Sequence, residues 1–307
     1  MGGLPQFISF GEALTDLIRR GEDSWVSVPG GAPWNVARVM ACFGVSSAFG
    51  GAIGRDCFSD VLYRASEQAG LDLRFLQRPD KSPLLAIVHE THPPKYFFVG
   101  DDSADLHFDV SAMPEGWERA VRWAHFGCIS LARQPLGDRL VGLAESLHAS
   151  GVRISYDPNY RATMDERYDP TLARMMAIAD LVKVSDEDLR GLFRTDDEDA
   201  AFARLRAMNP EAPILYTRGG EGAALYAGDK VWRAVPPAIE VVDTVGAGDC
   251  SLAGLLSSRM KHPERGWDAH LRAAVAAGTG ACLSAGATPP SDDLLERLAG
   301  TIRVSEG

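Results

Sequence analysis

From about residue 120 the chain alternates short apolar runs with amphipathic stretches. The runs 123–129, 152–156, 181–184 and 214–217 are continuous enough to be strands buried on both faces. Between them, residues 136–150, 170–179 and 197–208 carry apolar positions at helical spacing. Strands alternating with helices predict right-handed βαβ units on a mainly parallel sheet, an α/β fold. Two helices rich in Ala and Gly, 250–260 and 267–284, close the pattern. Residues 12–29 and 83–108 break it, with short alternating segments such as Leu84-Leu85-Ala86-Ile87-Val88 and Tyr96-Phe97-Phe98-Val99. Alternation predicts antiparallel strands covered on one face, either a small sheet standing off the main body as a lid or edge strands of the main sheet. With no repeat, low-complexity tract or linker, residues 1–307 are expected to form a single domain.

Composition narrows the chemistry. The net charge is −11, with no Lys/Arg cluster of the kind that tracks a phosphate backbone, so nucleic acid and anionic membrane are not expected as partners. No apolar run reaches the length of a membrane span. Five scattered cysteines without a C-x-x-C pair point to reduced thiols and a cytoplasmic protein. The N-terminus passes straight into Phe7-Ile8-Ser9-Phe10, without the basic region and apolar core of a signal peptide. Gln6 takes the place of the Ser or Thr that myristoylation needs.

Two glycine-rich stretches carry candidate chemistry. In Asp243-Thr244-Val245-Gly246-Ala247-Gly248-Asp249, a strand-like 239–242 leads through a Gly-Ala-Gly turn into an apolar helix. Unpaired N–H groups there would meet the positive end of the helix dipole and form an anion hole. A carboxylate at Asp249 would repel an anion, yet it suits a general base taking the proton of an attacking hydroxyl. By spacing alone, Asp249 is equally a helix N-cap. In Gly30-Gly31-Ala32-Pro33-Trp34-Asn35, paired glycines admit a small ligand and Asn35 offers a donor and an acceptor to a hydroxyl. The same stretch also reads as a plain loop entering a helix.

These residues resemble the PfkB, or ribokinase-like, family of carbohydrate kinases. Gly30-Gly31…Asn35-x-Ala37 with Gly44 and Gly54-x-Asp56 resembles its first signature, and 243–249 its second. Asp157-Pro158-Asn159-Tyr160-Arg161 is similar to its D-x-N-x-R strand end, and Thr217-Arg218-Gly219-Gly220-Glu221-Gly222 to its nucleotide loop. The resemblance implies a three-layer α/β/α sandwich with a β lid, transferring the γ-phosphoryl group of MgATP to a sugar hydroxyl. It implies Asp249 as base, and Gly246, Ala247 and Gly248 as the anion hole. On the sugar side it implies Asp16, Gly30, Gly31 and Asn35, with Arg161 on sugar or phosphate unless it is a surface ion pair. Lys183, Ser185, Thr217, Gly219 and Gly222 would line the nucleotide. Ala274 and Gly278 would flank adenine, or belong to an ordinary close-packed helix. A monovalent cation such as K⁺ and a homodimer through the lid are further expectations of the family.

The chain departs from the pattern at three places. Ser185 and Asp188 stand where the family has the Asn and Glu of its N-x-x-E element, leaving Asp188 a weak metal contact through water. Cys250-Ser251 replaces a small residue and Phe, and Ser59 replaces a closing glycine. In the lid, Tyr96 and Phe98 followed by Ala104-Asp105 resemble fructokinases, where the aromatic strand packs on the sugar and Asp105 would contact it. Fructose is the expected substrate, with 2-keto-3-deoxygluconate, ribose, tagatose phosphate or a nucleoside as alternatives. From another class, the chain would be a sugar-binding regulator without catalysis.

Overall fold

The computed structural model describes residues 3–91 and 94–307. Met1 and Gly2, and residues 92 and 93 of the second expected lid segment, lie outside the described residues. In chain order the strands are β1 (Phe7–Phe10), β2 (Leu14–Arg19), β3 (Trp25–Gly30), β4 (Ser47–Ala52), β5 (Leu76–Gln77), β6 (Leu85–Thr91), β7 (Pro94–Val99), β8 (Trp123–Gly127), β9 (Arg153–Asp157), β10 (Leu181–Ser185), β11 (Ile214–Thr217), β12 (Ala223–Ala227), β13 (Lys230–Ala234) and β14 (Val304–Glu306). The helices are α1 (Ala32–Cys42), α2 (Cys57–Gln68), α3 (Trp117–Ala120), α4 (Leu136–Ala149), α5 (Asp169–Ile178), α6 (Asp186–Phe193), α7 (Glu198–Met208), α8 (Ala247–Lys261), α9 (Trp267–Ala281) and α10 (Asp292–Thr301).

Ten strands form one sheet in the order β14-β13-β12-β11-β10-β9-β8-β1-β4-β5. From β5 to β11 neighbours run parallel, and β12 to β14 add an antiparallel edge. The two-residue period of a strand sends alternate side chains to opposite faces. Phe7, Trp123, Leu181 and Leu215 pack against α1, α8, α9 and α10. Ile8, Phe10, Phe126, Ile154, Tyr156, Val182 and Val184 pack against α4 to α7. Burial on both faces is why these strands are apolar without interruption. The result is the three-layer α/β/α arrangement.

The second sheet, β3-β2-β6-β7, stands apart from the first, so its strands are not edges of the main sheet. It corrects the antiparallel expectation in part: β2 pairs with β3 and β6 with β7 antiparallel, but β2 and β6 are parallel. One face presents Asp16, Ala86 and Phe98 in register. The other presents Leu17, Ile87 and Phe97, with Phe97 53% and Val99 47% exposed.

Several boundaries differ from expectation, among them that of α9, which ends at Ala281 where helix is expected over 267–284. Residues 239–242 form no strand, and Val241 and Val242 are exposed; the Val242 N–H donates to the Cys282 carbonyl alone. β8 stops at Gly127, where a 3-10 turn over Cys128–Leu131 begins. α8 starts at Ala247, three residues earlier than its apolar pattern, because Gly246 caps it in the left-handed region at φ 79°. A side chain at Gly246 would also collide with Ala287, 2.5 Å away. Glycine is thus required there twice over.

Candidate active site

The candidate residues gather at the C-terminal ends of the parallel strands, where open α/β sheets place their ligands. Asp157 ends β9, Ser185 ends β10 and Thr217 ends β11. Asp249 lies in the first turn of α8, and is not its N-cap. Its Oδ2 accepts a hydrogen bond from Asn35 Nδ2 at 2.8 Å. That contact joins α1 to α8 across 214 residues of chain. Burial raises the Asp249 pKa, while Asn35, Lys183 and Arg161 each oppose the rise. The other buried atom of the pair, Asn35 Oδ1, has no hydrogen-bond partner among the described residues.

Helix geometry decides which amides can serve an anion. The Ala247 N–H is spent on the Thr244 carbonyl at 3.2 Å, which corrects its expected place in the anion hole. The Gly246, Gly248 and Asp249 N–H groups have no acceptor among the described residues. They sit at the positive end of a fifteen-residue helix. The Lys183 ammonium lies 3.2 Å from the point where a Gly248 side chain would begin. It is tied down by two carboxylates, 3.1 Å from Asp157 and 3.6 Å from Asp188. Burial pulls the Lys183 pKa down, but Asp157 and Asp188 outweigh it and hold the ammonium in its charged form.

Asp188 is occupied on both oxygens. Oδ1 accepts from the Tyr160 N–H and Oδ2 from the Ser185 N–H, each at 2.7 Å. The Ser185 hydroxyl accepts from the Asp188 N–H, so the Ser-x-x-Asp variant forms a capping box at the start of α6. Asp157 Oδ1 takes the Asn159 N–H at 3.0 Å, and Oδ2 faces the Lys183 ammonium at 3.1 Å without a hydrogen bond of its own. Burial pushes its pKa up to about 7 against the pull of Lys183.

On the opposite side, the small sheet brings Asp16 and Tyr96 close enough to Arg161 to feel its charge. Asp16 has no hydrogen-bond donor among the described residues, and burial raises its pKa to about 6 despite Arg161. Its Oδ2 fills the space left by the missing side chain of Gly30, 2.4 Å from where a Cβ would stand. Gly31 is the N-cap of α1, and Phe98 packs edge-on to Tyr96. Arg161 is part-buried and forms no ion pair among the described residues, which sets aside its reading as a surface ion pair. Its Nη1 is bound to Asn159 Oδ1 and to the carbonyls of Asn159 and Tyr160. Gly219 and Gly222 bracket the turn from β11 into β12 at the same end of the sheet.

Three expected contacts are not in the site. Asp105 is sealed, accepting from the Ser103 hydroxyl and from Arg133 Nε at 3.0 Å. Arg133 also donates to the Gly100 carbonyl, so this network anchors the chain just after β7 instead of facing the site. Ala274 is fully buried, and a side chain at Gly278 would meet Ser251 Oγ at 2.1 Å. Both are therefore packing positions between α8 and α9, with no face free for adenine.

Sequence reasoning also missed residues. Asp157 was legible as a strand-end acid beside Arg161. Glu12 had no local signal: it is fully buried, accepts from the Ser130 amide and hydroxyl, and leaves Oε1 without a partner. Burial pushes its pKa up to about 7. It braces the turn in which Cys128 adopts φ 57°, near Arg161 and Tyr96. Such a backbone is uncommon for a residue with a side chain.

Residues 5–294 match the model for the pfkB family carbohydrate kinases. The chain is 31% identical over 260 residues to a fructokinase of Klebsiella pneumoniae, covering 82% of this chain and 83% of that one. A solved fructokinase of Xylella fastidiosa with bound ATP superposes with a TM-score of 0.85 at 24% identity, covering 97% and 99% of the two chains. A Vibrio cholerae fructokinase in its fructose, ADP and calcium ion bound form gives 0.80 at 25% identity, covering 96% and 99%.

Proposed function

This chain belongs to the pfkB family of carbohydrate kinases, and we propose that it transfers the γ-phosphoryl group of ATP to a hydroxyl of fructose. One observation carries the choice of sugar: the pocket offers two unpartnered acceptors. The Asp16 carboxylate and Asn35 Oδ1 are both unpartnered among the described residues, so they suit the hydroxyls of a neutral polyol. Arg161, the cation on that side, already spends Nη1 on its own loop.

In this reading the attacking hydroxyl lies against Asp249. The carboxylate takes its proton as the new O–P bond forms and the bond from phosphorus to the bridging oxygen of ADP breaks. Asn35 holds Asp249 in line and favours its charged form. The free amides of Gly246, Gly248 and Asp249, with Lys183, face the charge that grows on the phosphoryl oxygens. Thr217 and the Gly219–Gly222 turn would border the nucleotide. Magnesium would arrive with ATP and neutralise its phosphates. Asp188 is too engaged to bind the ion directly, and Asp157, held by the Asn159 N–H at Oδ1 and facing Lys183 at Oδ2, would meet it only through its water shell. The monovalent cation rests on the resemblance alone and enters no step. We place the enzyme in the cytoplasm, where its five free cysteines would stay reduced.

The small sheet acts as a lid because it supplies Asp16. Asp16→Ala is therefore expected to raise KM for fructose far more than KM for ATP, since the sugar hydroxyls lose a buried acceptor. Sugar affinity should also fall as pH drops through about 6, where Asp16 takes up a proton. Initial rates over both substrates test this, and an unchanged fructose KM would move Asp16 out of the site. The outer face of the lid, with Leu17, Ile87, Phe97 and Val99, is apolar and without a helix layer. A second copy meeting it face to face would cover it. Phe97→Asp should then sediment as a monomer where the wild type sediments as a dimer; identical sedimentation would remove the lid from the interface.

A further inference from the structure

A cavity of about 380 Å³ opens at the N-terminal ends of β8 to β11, the opposite end of the sheet from Asp157, Ser185 and Thr217. This volume lies within the range of about 300–1,000 Å³ common to small-molecule sites. Trp123 and Arg153 begin β8 and β9, and Arg259 and Trp267 come from the end of α8 and the start of α9. Part of the polar lining is already committed. Asp180 Oδ2 accepts the Ile154 N–H at 2.8 Å and lies 3.9 Å from His148 Nδ1. Asn209 Nδ2 donates to the carbonyls of Met176 and Ala179. Glu211 is exposed and forms no ion pair among the described residues.

Arg153 and Arg259 are different. Acidic residues outnumber basic ones 42 to 31 in this chain, yet neither arginine has a carboxylate partner among the described residues. Each lies over an indole, Arg259 at 4.7 Å from the Trp267 ring centre and Arg153 at 5.6 Å from that of Trp123. Contact with a ring face leaves the N–H donors of a guanidinium free for other partners. Of those on Arg259, Nη1 is used, by the Pro263 carbonyl at 3.1 Å and His270 Nε2 at 3.4 Å. Burial, then the Arg153 charge, weakens the hold of Arg259 on its proton, so the two cations sit close enough to repel. An oxyanion between them would relieve that repulsion.

We propose that this cavity is a second ligand site, binding a phosphate-bearing metabolite whose phosphoryl oxygens meet Arg153 and Arg259 and whose body lies against Trp267 and Ile178. Sugar phosphates and nucleotides share that phosphoryl chemistry, and titration separates them. The protein, loaded with fructose and a non-hydrolysable ATP analogue, is titrated at constant ionic strength with inorganic phosphate, fructose 6-phosphate and AMP. Tryptophan fluorescence and calorimetry follow binding. One of the two esters should bind saturably, with affinity about tenfold to a hundredfold lower in Arg153→Gln/Arg259→Gln. Sugar-dependent ADP release without effector should be unchanged in that variant, and Arg153→Gln alone replaces it if the double variant does not fold. Equal ester affinity in wild type and variant, or no saturable ester binding, overturns the proposal. Binding of inorganic phosphate without either ester is an adventitious ion only and overturns it as well.

Discussion

Asp249→Asn is expected to bind fructose normally while losing kcat by roughly 10²–10⁴-fold, the contribution of a positioned general base. The substitution keeps the oxygen that accepts from Asn35 Nδ2, so the contact between α1 and α8 survives and only the basic site is lost. A burial-raised pKa places the wild-type carboxylate nearer to the hydroxyl proton it must accept, which strengthens it as a base. Sugar binding by calorimetry beside steady-state kinetics separates affinity from turnover. A folded variant with near-normal kcat would reduce Asp249 to a structural acid.

Lys183→Met should have the largest effect on stability. Lys183 is 5% exposed and stands between Asp157 and Asp188, so its loss leaves two buried carboxylates without their cation. Removing one member of a buried ion cluster costs about 3–5 kcal/mol. The sign with pH follows from Asp157, whose folded pKa is already raised to about 7. A raised carboxylate is stabilising in its neutral form, and that contribution is lost as pH rises through the folded value. The deficit of the variant should therefore be large at about pH 8 and shrink toward about pH 5, where Asp157 takes up its proton. Denaturant unfolding at both values reads this directly. A deficit that is constant or greater in acid would mean that Lys183 does not neutralise these acids.

The parts of the fold that were legible are those whose physics is local. β8 to β11 betray themselves as uninterrupted apolar runs because helices cover both their faces. The Gly-Ala-Gly turn announces a helix start because few other sequences tolerate it. The sequence could not say that β2 and β6, some seventy positions apart, would pair in parallel, since a period of two is the same in either direction. Nor could it foresee Asp105. An acid after an aromatic strand resembles a sugar ligand until Arg133, 28 residues on, closes over it. Residues 239–242 show the opposite failure: they have β-branched side chains but no neighbour to pair with, and propensity without a partner does not make a strand. Asp249 stayed ambiguous because the start of α8 rests on Gly246 and Ala287, a contact across some forty residues.

The central claim is that the pocket at the ends of β9, β10 and β11 couples ATP to a neutral sugar hydroxyl. It is tested by ADP release from MgATP across a panel of fructose, 2-keto-3-deoxygluconate, ribose, tagatose 6-phosphate and a nucleoside. The account predicts negligible release without acceptor and the highest kcat/KM with fructose, abolished in Asp249→Asn. Release that is independent of any sugar, or none with every sugar, would contradict it and favour a sugar-binding regulator. A higher kcat/KM with 2-keto-3-deoxygluconate would show that the unpartnered acceptors at Asp16 and Asn35 do not select a neutral polyol.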